Sequence, residues 1–126
     1  MCESWLNANI SNEELFINGI NIFRLDRTSK KGGGIFILYR SEYTCNIENN
    51  ILHEDLELLN FTVNKNSIMK DISVIVFYRP PNSSFNNFDT LLYDFLCNID
   101  FSSLPLVILG DVNAVSYTHL TLPTIY

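Results

Sequence analysis

Apolar residues along this 126-residue chain fall into short, separated runs, and the runs predict a strand-rich domain with one clear helix. Residues 21–25 set Ile22 and Phe23 among polar neighbours and read as a strand. Residues 35–39, Ile-Phe-Ile-Leu-Tyr, are continuously apolar, as expected of a buried strand. Between them lies Thr28-Ser29-Lys30-Lys31-Gly32-Gly33-Gly34, a loop whose glycines permit positive φ or close backbone approach. The pair therefore predicts a hairpin. Residues 56–63 form a further strand, and residues 72–78, rich in β-branched side chains, form the clearest one. Arg79-Pro80-Pro81-Asn82 must then leave the sheet, because two prolines cannot donate to a ladder. From residue 85 to residue 99 the period changes: Phe88, Leu91, Leu92, Phe95, Leu96 and Ile99 recur at the three-and-four spacing of one buried helical face. Residues 105–109 are another short buried strand, running straight into Gly110-Asp111-Val112-Asn113. Near the start, Ser11-Asn12-Glu13-Glu14 has the form of a capping box, consistent with a short helical turn or with a plain polar loop. The expectation is a layered α/β domain with a mixed sheet, without internal repeats or linkers.

Composition adds limits. Hydrophobic residues make up 47% of the chain, too many for a disordered segment. The net charge of −6 speaks mildly against a dedicated nucleic-acid binder, which usually carries a basic stripe. Enzymes that cut phosphodiesters with metal ions are an exception, since their sites concentrate carboxylates. Cys2, Cys45 and Cys97 are scattered and odd in number, with no CxxC pair, so neither a zinc site nor a disulfide partner is expected. The sequence contains no apolar run of the roughly 18 residues that a membrane-spanning helix needs, and no signal-peptide pattern. An intracellular protein without membrane association is expected. Abundant Asn, Ile, Phe and Tyr reflect an AT-rich coding sequence.

Three segments are candidates for chemistry: Glu3 before Ser4-Trp5-Leu6, Tyr78 ahead of Arg79-Pro80-Pro81-Asn82, and Asp111 with Asn113 after the last apolar run. Polar residues at the ends of apolar strands are where α/β sheets place their sites. Taken with the segment from Asp26-Arg27 to the three glycines, these motifs stand in an order that resembles the endonuclease domain of LINE-type retrotransposons. That domain belongs to the endonuclease/exonuclease/phosphatase superfamily, which also holds the exonuclease III type of abasic-site nucleases. The resemblance spans residues 1 to 113. It implies an exonuclease III-like α/β sandwich that uses Mg²⁺ (or Mn²⁺) to nick DNA, leaving a 3′-hydroxyl that primes a downstream reverse-transcriptase domain in the nucleus.

Carried over residue by residue, the resemblance implies that Glu3 binds the metal, which prefers one or two carboxylates plus water and phosphate. Asp111 would orient or deprotonate the attacking water. Asn113 would hydrogen-bond the scissile phosphate, and Tyr78 would donate to it or to the developing charge. Arg79, Lys30 and Lys31 would contact the DNA backbone, whereas His53 and Trp5 read as surface and core residues. Dull roles compete: Asp111 and Asn113 can cap a turn, Arg79 can bridge to a carboxylate, and the lysines can be solvated.

The chain also departs from the family. The strand expected before Glu3, with its asparagine, and the distal aspartate and Ser-Asp-His expected beyond Asn113 are missing, while Val112 stands where an aromatic is usual. The chain is therefore expected to be a partial, inactive domain with uncovered sheet edges and poor solubility. Residues 115 to 124 back-translate to GTC TCT TAT ACA CAT CTG ACG CTG CCG ACG, a reading frame of a sequencing-library transposon adapter. Residues 115 to 126 are accordingly read as non-native and take no part in fold or function. Competing functions are an inositol-phosphate or sphingomyelin phosphodiesterase of the same superfamily, a decayed fragment, and a module that only binds nucleic acid.

Overall fold

The computed structural model describes residues 2, 4, 6, 9, 11–27, 33–65, 70–100 and 102–113, and structural statements below concern these. A 3₁₀ turn (Asn12–Leu15) occupies the capping-box segment. A hairpin of β1 (Ile20–Leu25) and β2 (Ile35–Arg40) follows. The chain then makes β3 (Thr44–His53), β4 (Leu56–Asn64) and β5 (Ile72–Tyr78), crosses over through α1 (Phe85–Cys97), and returns as β6 (Leu106–Asp111). β3, β4 and β5 pair antiparallel, and β5 pairs parallel with β6, giving a mixed sheet of order β3-β4-β5-β6. Parallel pairing of β5 and β6 requires a crossover, and α1 supplies it.

Strand alternation divides the core in two. Leu56, Leu58 and Ile75 face α1 and meet Phe88, with Leu91, Leu92, Phe95, Leu96 and Ile99 packed around them. Leu59 and Phe61 face the other way and meet Ile35 of the hairpin, joined by Phe23, Leu25, Ile37, Val74 and Val76. The molecule is thus three layers: a two-stranded sheet, a four-stranded sheet and a helix. This is a layered α/β arrangement with a mixed sheet, and the helical face is the one that the spacing of residues 85–99 predicts. Ser84 caps α1, its side chain accepting from the Asn87 amide at 3.2 Å, and buried Asp55 accepts from the Ser84 amide and the Asn87 side chain. Two bonds to one buried carboxylate thereby fix where the helix starts relative to β4.

β3 is the element that the apolar pattern does not announce. Its residues alternate in phase at Cys45 and Ile47, which face the hairpin layer, but Ile51 packs on the helix side. The register shift between Ile47 and Asn49 explains the switch: one extra residue at Glu48 turns every later side chain to the opposite face. At the other edge, Val107, Ile108 and Leu109 of β6 are 42%, 45% and 55% exposed, and among the described residues no strand covers them. Among the described residues β6 is thus an apolar sheet edge. Among the described residues no helix is long and apolar enough to cross a membrane.

Gly110 shows how tightly β5 and β6 meet. A Cβ built there would lie 2.1 Å from Cζ of Phe77, whose ring packs at 5.9 Å from that of Phe88. Gly110→Ala must push the Phe77 ring off its partner, and overpacking of this kind costs about 1–3 kcal/mol. The expected result is a lower chemical-denaturation midpoint with unchanged slope; an unaltered midpoint would mean that the ring has room to move.

Candidate active site

The same alternation that divides the core aligns three polar side chains. On β5, Val74 and Val76 face the hairpin layer, so Tyr78 does too; on β6, Leu106 faces the helix, so Asp111 faces the hairpin side. Glu57 on β4 shares that face with Leu59 and Phe61. The registers pair Glu57 with Tyr78 and Tyr78 with Asp111. A row Glu57–Tyr78–Asp111 thus crosses three adjacent strands, each step about 4.8 Å. Glu57 and Tyr78 are fully buried, and Asp111 is exposed at the end of its strand.

The loops beyond the row are locked together by hydrogen bonds. The Asp111 carboxylate accepts from the Asn113 amide at 3.0 Å, a local turn of the kind Asp favours. Asn113 has φ 49°, a left-handed conformation that asparagine tolerates better than most residues. Its side-chain amide donates to the Arg79 carbonyl at 2.7 Å. In return, the Arg79 amide donates to the Asp111 carbonyl at 2.8 Å, and its guanidinium donates to the carbonyls of Val112 and Ser83. The guanidinium also lies over the Phe85 ring at 5.2 Å. Arg79 and Asn113 therefore fasten the loop after β5 to the loop after β6. In this arrangement the Arg79 side chain is engaged with backbone carbonyl oxygens and not, among the described residues, with a carboxylate.

At the inner end of the row, Glu57 is held by three hydrogen bonds. Its carboxylate accepts from the Gly34 amide at 2.6 Å, from Arg27 Nε at 2.8 Å and from an Arg27 terminal nitrogen, with which it forms an ion pair. Gly34 in turn accepts from the Ser4 amide at 3.1 Å, and Cys2 bridges to Ile35. The Cys2 thiol approaches the Phe77 carbonyl at 3.7 Å. Burial pushes this thiol up from its ordinary pKa, and the Asp111 and Glu57 carboxylates push the same way, so Cys2 stays a neutral thiol. The residues on either side of Glu3 are thus tied to the end of the sheet that carries Tyr78 and Asp111. Glu3, Lys30 and Lys31 themselves, and residues 115 to 126, lie outside the described residues. The glycine-rich segment earns its composition at Gly34, where φ is 84° and a Cβ would lie 2.6 Å from the Ser4 hydroxyl oxygen.

A cleft of about 480 Å³ adjoins the row, bounded by Arg27 and Glu57, by the β3–β4 turn with His53 and Asp55, and by the two prolines after β5. His53 accepts from the Asp55 amide through Nδ1 at 3.0 Å and is largely exposed, in keeping with a surface role. Among the described residues no group of three or more His, Cys, Asp or Glu could hold a metal. Mg²⁺ does not need one: it keeps several waters and takes one or two carboxylates with substrate phosphate. The exposed Asp111 carboxylate at a strand end fits such a sparse donor set.

Tyr78, Asp111, Asn113 and Arg79, far apart in sequence, come together at this end of the sheet. Arg27 and Glu57 belong there as well, and the sequence reading assigned them no role. The signal was a single acid, Glu57, inside the otherwise apolar run Leu56-Glu57-Leu58-Leu59. No protein-family model, curated protein or solved structure matches the chain, so a functional reading rests on the motifs and on this geometry.

Proposed function

We propose that residues 1 to 113 belong to the Mg²⁺-dependent endonuclease domain of a LINE-type retrotransposon polyprotein, of exonuclease III-like fold, which nicks DNA ahead of reverse transcription. The observation that supports this most is the meeting of two motifs. Tyr-Arg-Pro-Pro-Asn and Gly-Asp-Val-Asn end neighbouring parallel strands, with Tyr78 opposite Asp111 and with Asn113 bonded to Arg79.

In this reading Asp111 takes a proton from the water that attacks phosphorus, and the bond from phosphorus to the 3′ oxygen breaks. The proton-transfer role suits an exposed carboxylate anchored through one oxygen by the Asn113 amide. Asn113 orients a phosphate oxygen as charge builds on it, with Arg79 holding the loops after β5 and β6 together. Tyr78, the second donor that the motif implies, is fully buried in this structure and reaches the phosphate only when its side chain swings out of the sheet end. A bound Mg²⁺, held by Glu3 as its protein ligand, would polarise the phosphate and stabilise the leaving oxygen. The leaving 3′ oxygen takes its proton from solvent water, and the products are a 3′-hydroxyl and a 5′-phosphate.

The test is plasmid nicking by the protein expressed from the full reading frame of its genomic locus. Supercoiled DNA is expected to become open circular with Mg²⁺ or Mn²⁺ and to stay intact with a chelator, and the nicks should support primer extension without further treatment. Absence of nicking with either metal would overturn the proposal. Hydrolysis of inositol phosphates or sphingomyelin in its place would move the protein to another branch of the superfamily.

A further inference from the structure

Glu57 and Arg27 stand apart from the chemistry yet adjoin it. A fully buried carboxylate is costly to place, and a buried ion pair is seldom more stabilising than two well-packed apolar side chains of similar volume. Stability alone therefore gives little reason for this pair. Its bonds are directed in a specific way. The Glu57 carboxylate accepts from Arg27, which follows β1, and from Gly34, which precedes β2. From Gly34 the chain of contacts continues to Ser4. On its own strand Glu57 lies opposite Tyr78, one strand from Asp111. The pair thus joins the connection of the first hairpin to the strand ends that carry the candidate catalytic groups.

A second effect is electrostatic. The carboxylate lies about 10 Å from Asp111 by two strand spacings, on the same face, where an anionic phosphate has to approach. Left alone it would repel that phosphate. Arg27, with its side chain only 13% exposed, cancels this charge through a fork that a lysine cannot reproduce.

We infer that the buried Arg27–Glu57 pair is a positioning device for the nicking reaction, which clamps the hairpin to the ends of β4, β5 and β6 and neutralises the carboxylate that stands in one row with Tyr78 and Asp111. The inference rests on the nuclease reading. Its test compares the locus-encoded protein with Arg27→Met/Glu57→Met and with Arg27→Lys, by thermal melting and by kcat and KM for nicking. The double variant is expected to melt near wild type while kcat falls at least tenfold at unchanged KM for DNA. A double variant that melts near wild type and nicks at the wild-type rate overturns the inference, because the pair would then serve the fold alone. If the double variant melts well below wild type, Arg27→Lys decides: severalfold lower kcat at an unchanged melting point supports positioning, and a wild-type kcat overturns it. A wild-type protein that fails to nick at all overturns the nuclease reading, and this inference with it.

Discussion

Arg27→Met is expected to destabilise the domain by about 3–5 kcal/mol, because it leaves Glu57 charged, fully buried and short of its counter-ion. The Gly34 amide remains as a partner, yet one neutral donor does little for a carboxylate sealed from water. For a domain of this size the loss corresponds to a melting point lower by roughly 10–20 °C. Scanning calorimetry on the purified protein would measure it. Replacing both partners with methionine should recover most of the loss, since no charge then stays buried. An Arg27→Met protein that melts within a degree or two of wild type would mean that Glu57 finds another partner or becomes protonated in the folded state.

Asp111→Asn is expected to lower nicking by about 10²–10⁴-fold, the usual worth of a positioned general base. The substitution is informative because the local structure can survive it. An asparagine side chain still offers an oxygen to the Asn113 amide, so the turn and the Arg79 contacts can persist. Melting point and DNA affinity should therefore hold while the rate collapses. Nicking at the wild-type rate would remove Asp111 from the chemistry and leave it the role of a turn-former.

Most of the fold was legible because its signals are local. β5 is dense in β-branched residues, the helix repeats its apolar face over four turns, and two prolines mark where the sheet ends. β3 was not legible. Only Cys45, Ile47, Ile51 and Leu52 are apolar among its ten residues, and the bulge at Glu48 breaks the alternation that would have betrayed a strand. Its identity comes from pairing with β4, a contact that no window along the chain can express. The candidate site divides in the same way. Tyr78, Arg79, Asp111 and Asn113 stood out because short motifs surround them. Arg27 and Glu57 did not, since a charged residue in a loop and a single acid in a strand acquire meaning only when the fold brings them into contact.

The bulge at Glu48 also sets how this domain tolerates changes in length. Insertions and deletions are ordinarily absorbed in turns, and the middle of a paired strand is the worst place for them. Here the middle of β3 already carries one residue too many, and the two halves of the strand serve different layers: residues 44–47 the hairpin, residues 49–53 the helix. Losing Glu48 would restore an unbroken zigzag and force one half to present its polar side inward. The turn between β3 and β4 offers no slack either, since only Glu54 and Asp55 separate His53 from its partner Leu56, and Asp55 holds the start of α1. In relatives of this chain a gap is thus expected at neither place: Glu48, whose exposed side chain accepts from Thr62, keeps two cores in phase by its place in the count.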